Sequence, residues 1–312
     1  MKARKTVLAA FVAISVTITV LLVVRYDVYP QMLGKEPTMY TEPTMYTEPS
    51  MDSYTIVTAL FDIGRSNWTT YRRSYREYLS YMEQLMALKA NIIVFADPEG
   101  AAAARHMRRN QANRTRIIEM KLKDLPYYSY RKRVDEIMRS EEFRRNNPLA
   151  QNGHPEANVP EYNIVMWSKA GLVDRAIAMD PFHTSYFMWL DAGYGHGHDI
   201  YPKDGKWVPR NLLLECSDKV TMIERKEGIE NHRQDMDHLY RISMSVVVGG
   251  FFGGGKEPLF RLHALQQEVL ADWMKRGITD DDQSSIMMVY FREPCLFRFF
   301  IGDFYDVFKL FH

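Results

Sequence analysis

Cysteine is scarce in this sequence of 312 residues, which contains only Cys216 and Cys295. Two thiols exclude a scaffold built on several disulfides and a zinc site with four cysteine ligands, whether they pair or stay free. Charge of one sign is not in excess, because 40 Lys and Arg balance 39 Asp and Glu. A net charge of +1 gives no electrostatic basis for binding nucleic acid or an acidic membrane face. Hydrophobic residues make up 46% of the chain, which is enough for a large core.

One long hydrophobic run lies near the N-terminus, at residues 7–24, and it contains no charged residue. As a helix this run would span about 27 Å, close to the thickness of a hydrocarbon core. Lys2, Arg4 and Lys5 precede it, so the positive-inside rule places residues 1–6 in the cytosol. No small-residue cleavage site ends the run, which favours an uncleaved signal anchor over a cleaved signal peptide. The run is short, which suits the thinner bilayers of the early secretory pathway better than a thick plasma membrane. The sequence therefore predicts a single-pass type II membrane protein of the Golgi or endoplasmic reticulum.

A repeat rich in proline and threonine follows the run. EPTMYT occurs at residues 36–41 and 42–47, and a diverged copy, EPSMDS, occupies residues 48–53. A proline every six residues prevents folding into a core and favours an extended, solvated segment, either a functional stalk or a neutral linker. The predicted parts of the chain are a cytosolic tail at 1–6, a transmembrane anchor at 7–24, a stalk at 25–53 and a lumenal domain at 54–312.

Within residues 54–312, hydrophobic runs of strand length alternate with helical patterns. We predict strands at 55–60, 92–95, 116–120, 186–190, 220–223 and 243–248. We predict helices at 71–86, from about 100, at 127–138, 162–179 and 258–275. This alternation predicts one α/β domain with a mainly parallel central sheet and helices on both faces. Ligands bind such sheets beyond the carboxyl ends of the strands, so the loops after the strands are the candidate site.

The segment FDIGR comes directly after the first predicted strand. Asp62 and Arg65 in this segment could hold a ribose or base edge and a phosphate. The same pair could also be an incidental ion pair in an ordinary turn, and the residues alone do not separate these two interpretations.

Asp191 follows a very apolar strand and opens a glycine-rich segment that also contains His196, His198 and Asp199. A carboxylate at the end of such a strand needs a partner, and glycines allow a ligand to approach the backbone. We therefore predict that Asp191 binds a divalent cation that carries a diphosphate, with His196, His198 or Asp199 completing the shell. The alternative is an aspartate that caps a turn.

Two later segments also stand before helices. Gly249–Gly255 could present backbone amides to a ligand, although it lacks the spacing of a P-loop or of a Rossmann turn. Thr279–Gln283 opens another helix, where acidic side chains are favoured as caps. Alternatively, Asp281 or Asp282 acts as a general base on an acceptor hydroxyl.

Several of these segments together resemble the HtrL/YibB family over essentially residues 54–312. They are ALFDIGRSNW, MWSKAGLVDRAIAMDP, SYFMWLDAGYG, VVGGFFGGG and DDQSS. That family is similar to nucleotide-sugar-dependent glycosyltransferases of the GT-A fold. The resemblance implies transfer of a sugar from a nucleotide-sugar donor to a glycan or glycoprotein acceptor, assisted by Mn²⁺ or Mg²⁺.

The resemblance also implies a role for each site residue. Asp62 and Arg65 would lie beside the nucleotide, and Lys169 would neutralise phosphate. Gly250 and Gly253 would border the donor sugar. Asp281 or Asp282 would face the acceptor.

In one position the sequence departs from the GT-A pattern. The Asp-x-Asp motif of GT-A enzymes corresponds here to Asp191-Ala192-Gly193, in which the second acid is missing. This departure keeps open a catalytically inactive protein that binds a nucleotide or a glycan. A metallo-hydrolase is a further alternative, because His196-Gly-His198-Asp199 partly matches an HxHxD ligand set.

Overall fold

The computed structural model describes residues 48–242 and 245–312. The strands β1 to β7 are Tyr54–Leu60, Asn91–Ala96, Thr115–Glu119, Tyr186–Leu190, Val220–Glu224, Val247–Gly255 and Phe297–Ile301. The helices α1 to α11 are Tyr75–Met86, Pro98–Met107, Arg131–Arg139, Glu141–Arg144, Pro148–Gln151, Pro155–Asn158, Pro160–Met179, Arg210–Glu215, Lys256–Arg276, Asp282–Arg292 and Val307–Leu310. The first five predicted strands are present to within one residue at each end.

The seven strands form one sheet in the order β3-β2-β1-β4-β6-β5-β7. Neighbouring strands are parallel except where β6 pairs with β4 and with β5. At the centre, Ile56 is in register with Ile92 on one side and with Met188 on the other. This mostly parallel sheet fits the GT-A fold. Because β1, β2 and β4 are parallel neighbours, the loops that follow them meet at one edge of the sheet.

Each central strand contributes side chains to two cores, one on each face of the sheet. In β1, Val57 belongs to the core beneath α7, α9 and α10, whereas Ile56 belongs to the core beneath α1 and α2. In β4, Trp189 belongs to the same core as Val57, and Met188 belongs to the same core as Ile56. Successive side chains of a strand point to opposite faces, so a sheet covered on both faces requires apolar residues at every position. This requirement explains the continuous apolar runs in the sequence.

Helix α1 begins later than the sequence pattern predicts. Ser74 caps the helix by accepting a hydrogen bond from the backbone of Glu77, and the carboxylate of Glu77 accepts one from the backbone of Ser74. This reciprocal capping box fixes the start of the helix at Tyr75. Tyr71, which the pattern placed on the helix, has a φ of 54° and lies in the preceding loop.

The glycine-rich segment Gly249–Gly255 is not the loop that the sequence predicted, because it forms most of β6. Its neighbours leave no room for side chains. A Cβ on Gly254 would lie 2.5 Å from the carbonyl oxygen of Lys219, and a Cβ on Gly253 would lie 3.0 Å from the Cβ of Met188. The glycines therefore allow strands to approach closely, and pairing with β4 and β5 occupies most of this backbone.

The predicted fold also included a membrane-spanning helix at residues 7–24, and this part is corrected. In the part of the chain that the structure describes, no helix is both long enough and apolar enough to cross a bilayer. Residues 7–24, with the tail at 1–6 and most of the stalk at 25–53, lie outside the described residues. The fold class that the structure supports is the α/β domain alone.

Candidate active site

A pocket of about 320 Å³ lies at the edge of the sheet where β1 and β4 end. This volume is within the range of small-molecule sites in proteins. The predicted site residues that line it are Asp62, Arg65, Lys169, Asp191, His196, Gly250 and Asp282. Three other predicted residues, His198, Gly253 and Asp281, are not part of the lining. The structure thus brings together residues from all four of the segments that follow predicted strands or open a helix, together with Lys169 from α7.

Lys169 is the centre of a buried charge cluster on the wall of the pocket. Its Nζ lies 3.1 Å from Oδ1 of Asp191 and 2.7 Å from Oδ2 of Asp282, and it donates a 2.9 Å hydrogen bond to the carbonyl oxygen of Gly249. Burial alone would lower the pKa of Lys169, but the charges of Asp191 and Asp282 outweigh it and raise the pKa above its usual value. The ammonium therefore stays charged and holds both carboxylates in place.

Asp191 is the more accessible of the two carboxylates, with 37% of its side chain exposed against 4% for Asp282. The indole Nε1 of Trp189 donates a 2.6 Å hydrogen bond to Oδ1 of Asp191. The backbone nitrogen of Asp191 donates to the carbonyl oxygen of Gly250, which ties the end of β4 to β6. Asp191 is thus held at the strand end by its own strand, by β6 and by Lys169.

The three consecutive acids at the start of α10 have different surroundings. Asp281 caps the helix, because its Oδ1 accepts a 3.0 Å hydrogen bond from the backbone of Gln283. Asp282 points to Lys169 and the pocket. Asp280 is buried, and its carboxylate accepts hydrogen bonds from Ser284 Oγ and from the backbone of Asp281. Of the two acids that the sequence left open as a general base, Asp282 is therefore the one that faces the pocket.

Burial raises the pKa of all three acids. For Asp280 the charge of Asp281 adds to this effect, and for Asp281 the charge of Asp282 does. For Asp282 the nearby Lys169 opposes it. Among the described residues, no cation contributes to the pKa shift of Asp280. It is therefore the acid for which the protonated form is most favoured.

Asp280→Asn is expected to stabilise the protein at alkaline pH. Because the pKa of Asp280 is raised on folding, its contribution to stability is complete below the unfolded pKa of about 3.9 and is lost as the pH rises through the folded pKa. The amide keeps an acceptor for the backbone of Asp281 and does not ionise. We expect a gain of about 1 kcal/mol or more at pH 8, the order of magnitude of burying a charged group without a compensating partner, measured by urea unfolding.

The difference between this variant and the wild type should shrink as the pH is lowered from 8 towards 4. Asp235→Asn, at an exposed position outside the pocket lining, is the control and should show no such trend. A gain for Asp280→Asn that is constant over this range would contradict the assignment.

Two guanidinium groups, those of Arg65 and Arg73, also line the pocket. Arg65 donates from Nε to the carbonyl oxygen of Tyr71 at 2.8 Å and from Nη1 to the hydroxyl of Tyr78. Arg73, directly before the cap of α1, contacts the same hydroxyl at 3.4 Å and Nε2 of His196 at 3.2 Å. Within residues 48–242 and 245–312, neither guanidinium forms an ion pair with a carboxylate. Arg65 and Arg73 are therefore partly buried cations whose charge is not compensated locally.

Asp62 follows β1 and belongs to a small network at the rim of the pocket. Its Oδ1 accepts a 2.8 Å hydrogen bond from the backbone of Gly64, which has a φ of 71° that glycine adopts readily. Its own backbone nitrogen donates to Oδ2 of Asp97 at 2.9 Å. Asp97 also caps α2 and accepts a 2.7 Å hydrogen bond from the hydroxyl of Tyr75. The exposed carboxylate of Asp62 is thus held in a defined position with one oxygen available to a ligand.

The predicted metal ligands do not converge on one point. His196 Nδ1 lies 2.8 Å from the hydroxyl of Tyr305, and its Nε2 faces Arg73. His198 is exposed, with its ring against that of Tyr305. Burial, together with the charge of Arg73, lowers the pKa of His196 to about 4. Both nitrogens of this neutral ring already have partners.

The donors around Asp191 do not fit a divalent cation either. Lys169 already lies among the oxygens of Asp191, Asp282 and Gly249. Across the described ranges, no group of three His, Cys, Asp or Glu side chains is arranged to hold a metal ion. Binding of Mn²⁺ or Mg²⁺ therefore stays a prediction from the sequence that this arrangement does not support.

The sequence reasoning missed several residues that shape the pocket. Arg73, Tyr78, Trp189 and Tyr305 line it together with the predicted residues. The capping box at Ser74 was a readable signal that α1 begins after Arg73, so that Arg73 belongs to the loop after β1. For Tyr305 we find no such signal, because it reaches the pocket from the C-terminal end of the chain.

Comparison with known proteins gives a match over the whole described domain. A family model with the description "Bacterial protein of unknown function (HtrL_YibB)" matches residues 52–312. Protein HtrL of Escherichia coli strain K12 is 29% identical over 270 residues, which cover 83% of this chain and 92% of that protein. The predicted location, as a type II membrane protein of the Golgi or endoplasmic reticulum, is corrected by these matches, because the family is described as bacterial and this relative comes from a bacterium, which has neither organelle.

Among solved structures, mouse xyloside xylosyltransferase 1 in its apo form is similar, with 10% identity and a TM-score of 0.43. The match covers 79% of this chain and 84% of that one. A structure titled PaToxG glycosyltransferase is similar with 11% identity and a TM-score of 0.33, over 79% of this chain and 70% of that one.

Proposed function

We propose that this chain, which belongs to the HtrL/YibB family, transfers a glycosyl group from a nucleotide sugar to a hydroxyl acceptor. The observation that carries the proposal is the combination of charges in one pocket. Two carboxylates share the ammonium of Lys169, and two guanidiniums that have no carboxylate partner among the described residues line the same pocket. Sugar transfer from a nucleotide needs both kinds of group, an anion site for the leaving diphosphate and a carboxylate near the reacting carbon.

The aromatic lining supports a donor that carries a base and a sugar. Phe61, Tyr75, Tyr162 and Trp189 contribute to the wall of the pocket. Aromatic faces stack on bases and on the apolar faces of sugars, and the free oxygen of Asp62 could accept a hydrogen bond from a ribose hydroxyl. The pocket thus offers surfaces for each part of a nucleotide sugar.

In the proposed reaction, the acceptor oxygen attacks the anomeric carbon of the donor. The bond from this carbon to the diphosphate oxygen breaks, and the electron pair leaves with the nucleoside diphosphate. Asp282 accepts the proton of the acceptor hydroxyl, and Asp191 stabilises positive charge that develops on the sugar ring. Lys169 holds both carboxylates in these positions. Cations at the leaving group stabilise its growing negative charge.

The test is a panel of uridine, guanosine and thymidine nucleotide sugars with the full-length protein. Release of the nucleoside diphosphate is followed by chromatography, with water as the acceptor and then with simple sugars. We expect cleavage of donors that carry one type of base, and a rise in melting temperature with the matching nucleoside diphosphate. Asp191→Ala should abolish cleavage, whereas Asp235→Ala, at an exposed position outside the pocket, should not.

Two results would contradict the proposal. If no nucleotide raises the melting temperature and no donor is cleaved, the pocket does not serve nucleotide sugars. If a nucleotide binds but none of the donors is turned over with any acceptor, the protein is the inactive binding form of this fold.

A further inference from the structure

We propose that Arg65 and Arg73 bind the diphosphate of the donor, so that donor binding needs no divalent cation. This inference rests on the proposed function and assigns a ligand group to two side chains of the same pocket. Two independent features carry it. One is that a lysine fills the place among the carboxylates where a cation would lie, and the other is a pair of guanidiniums that no carboxylate of residues 48–242 or 245–312 compensates.

The first feature is the position of the Lys169 ammonium. Its Nζ is within 3.1 Å of oxygens from Asp191, Asp282 and the backbone of Gly249, and its side chain is 4% exposed. A divalent cation at Asp191 would have to lie beside this fixed positive charge, which Coulomb repulsion disfavours in a buried site. The charges of the two carboxylates are therefore already compensated by a side chain of the protein itself.

The second feature is the set of hydrogen-bond donors that remain on the two arginines. Arg65 uses Nε and Nη1 within the protein, and Arg73 uses Nη1. Nη2 of each guanidinium has no partner in the part of the chain that the structure describes. Guanidiniums bind phosphate oxygens through pairs of parallel N–H groups, and a diphosphate offers oxygens to two arginines at once.

The two arginines are held together and are connected to the carboxylate cluster. The hydroxyl of Tyr78 accepts from both guanidiniums. The ring of Tyr78 packs on Gly193, where a Cβ would lie 3.0 Å from its Cδ1. Gly193 is two residues after Asp191 in the same loop, so the tyrosine that holds both arginines packs directly on the loop that carries this carboxylate. This contact places the proposed diphosphate next to the proposed reacting centre.

The test is calorimetric titration of the full-length protein with inorganic pyrophosphate, in EDTA and in Mg²⁺. We expect binding in EDTA, weakened about 10-fold to 100-fold by Arg65→Gln or Arg73→Gln, because each loses a charge-assisted hydrogen bond. Arg73→Lys keeps the charge without the fork and should lose less. Arg76→Gln, on the exposed face of α1 and outside the pocket lining, is the matched control and should bind as the wild type does.

A second arm compares pyrophosphate with UDP, GDP and dTDP in EDTA. Tighter binding of one nucleoside diphosphate, lost in the same two variants, supports the assignment to the donor. Melting temperatures of the variants distinguish loss of the site from loss of the fold. Arg65→Gln removes a hydrogen bond to the backbone and could be unstable; in that case Arg73→Gln still tests the site, because it removes only bonds to side chains among the described residues.

Three outcomes would overturn the inference. Pyrophosphate that binds only with Mg²⁺ would assign the diphosphate to a metal and leave the proposed function intact. Equal binding by wild type and both variants in EDTA would place the anion elsewhere. Absence of binding in both conditions would overturn it as well, and the donor panel then decides separately whether the proposed function fails.

Discussion

Asp282→Asn is expected to lower the rate of nucleoside diphosphate release by about 100-fold or more, the usual contribution of a general base. The substitution keeps the shape of the side chain and removes the carboxylate that we propose as the general base. Asp282 lines the pocket 2.7 Å from Lys169, and its neighbour Asp281 is engaged in capping α10. The rate should be measured at saturating donor, so that a change in binding does not enter the comparison.

The dependence of this rate on pH provides a second measure. Burial raises the pKa of Asp282, with Lys169 opposing, so the wild-type rate should rise with pH as the carboxylate ionises above its ordinary range. This rise should disappear in Asp282→Asn. Asp235→Asn is the matched control, because that carboxylate is exposed and outside the pocket lining. A variant with an unchanged melting temperature and a wild-type rate would exclude Asp282 as the base.

Lys169→Met is expected to lower the free energy of unfolding by about 3–5 kcal/mol, the usual result of removing one partner of a buried ion pair. Methionine fills similar space but leaves Asp191 and Asp282 without their shared cation. Since the pKa of Lys169 is raised on folding, its stabilisation is complete below the unfolded pKa of about 10.4 and is therefore fully present at neutral pH. Urea unfolding at pH 7 measures the loss.

The double variant Lys169→Met with Asp282→Asn separates charge from packing. If the loss comes from the unpaired carboxylate, the double variant should be more stable than Lys169→Met alone. Lys132→Met, at an exposed position on α3, is the control and should change stability little. Equal stability of the single and double variants would indicate that Lys169 contributes through packing and not through its charge.

The sequence was sufficient to predict some strands of the sheet. Continuous apolar runs identified β1, β2 and β4, because a sheet covered on both faces requires such runs. The same rule failed at β6, where Gly249–Gly255 has the composition of a loop. The glycines are there because other backbone lies too close for a side chain, and this proximity arises only from the tertiary arrangement.

Part of the candidate site could also be predicted from the sequence, and part could not. Asp62, Lys169 and Asp191 could be selected because they follow strands or carry a motif, and all three line the pocket. The contact between Lys169 and Asp282 could not be predicted from the sequence, because it joins α7 to α10, which are far apart along the chain. The hydrogen-bond partners of His196 could not be predicted from the sequence either, because Arg73 and Tyr305 reach its two ring nitrogens from distant parts of the chain.

The order in which the chain leaves the ribosome gives the Lys169 cluster a particular consequence. Asp191 is 22 residues after Lys169, the carbonyl of Gly249 is 80 residues after it, and Asp282 comes later still. Until α10 has been synthesised, the ammonium has only part of its final set of oxygens, and the pocket lacks the wall that carries Asp282. A nascent chain can thus form the first half of the sheet early, while the complete charge cluster and its pocket arise only once nearly the whole domain has emerged and packed.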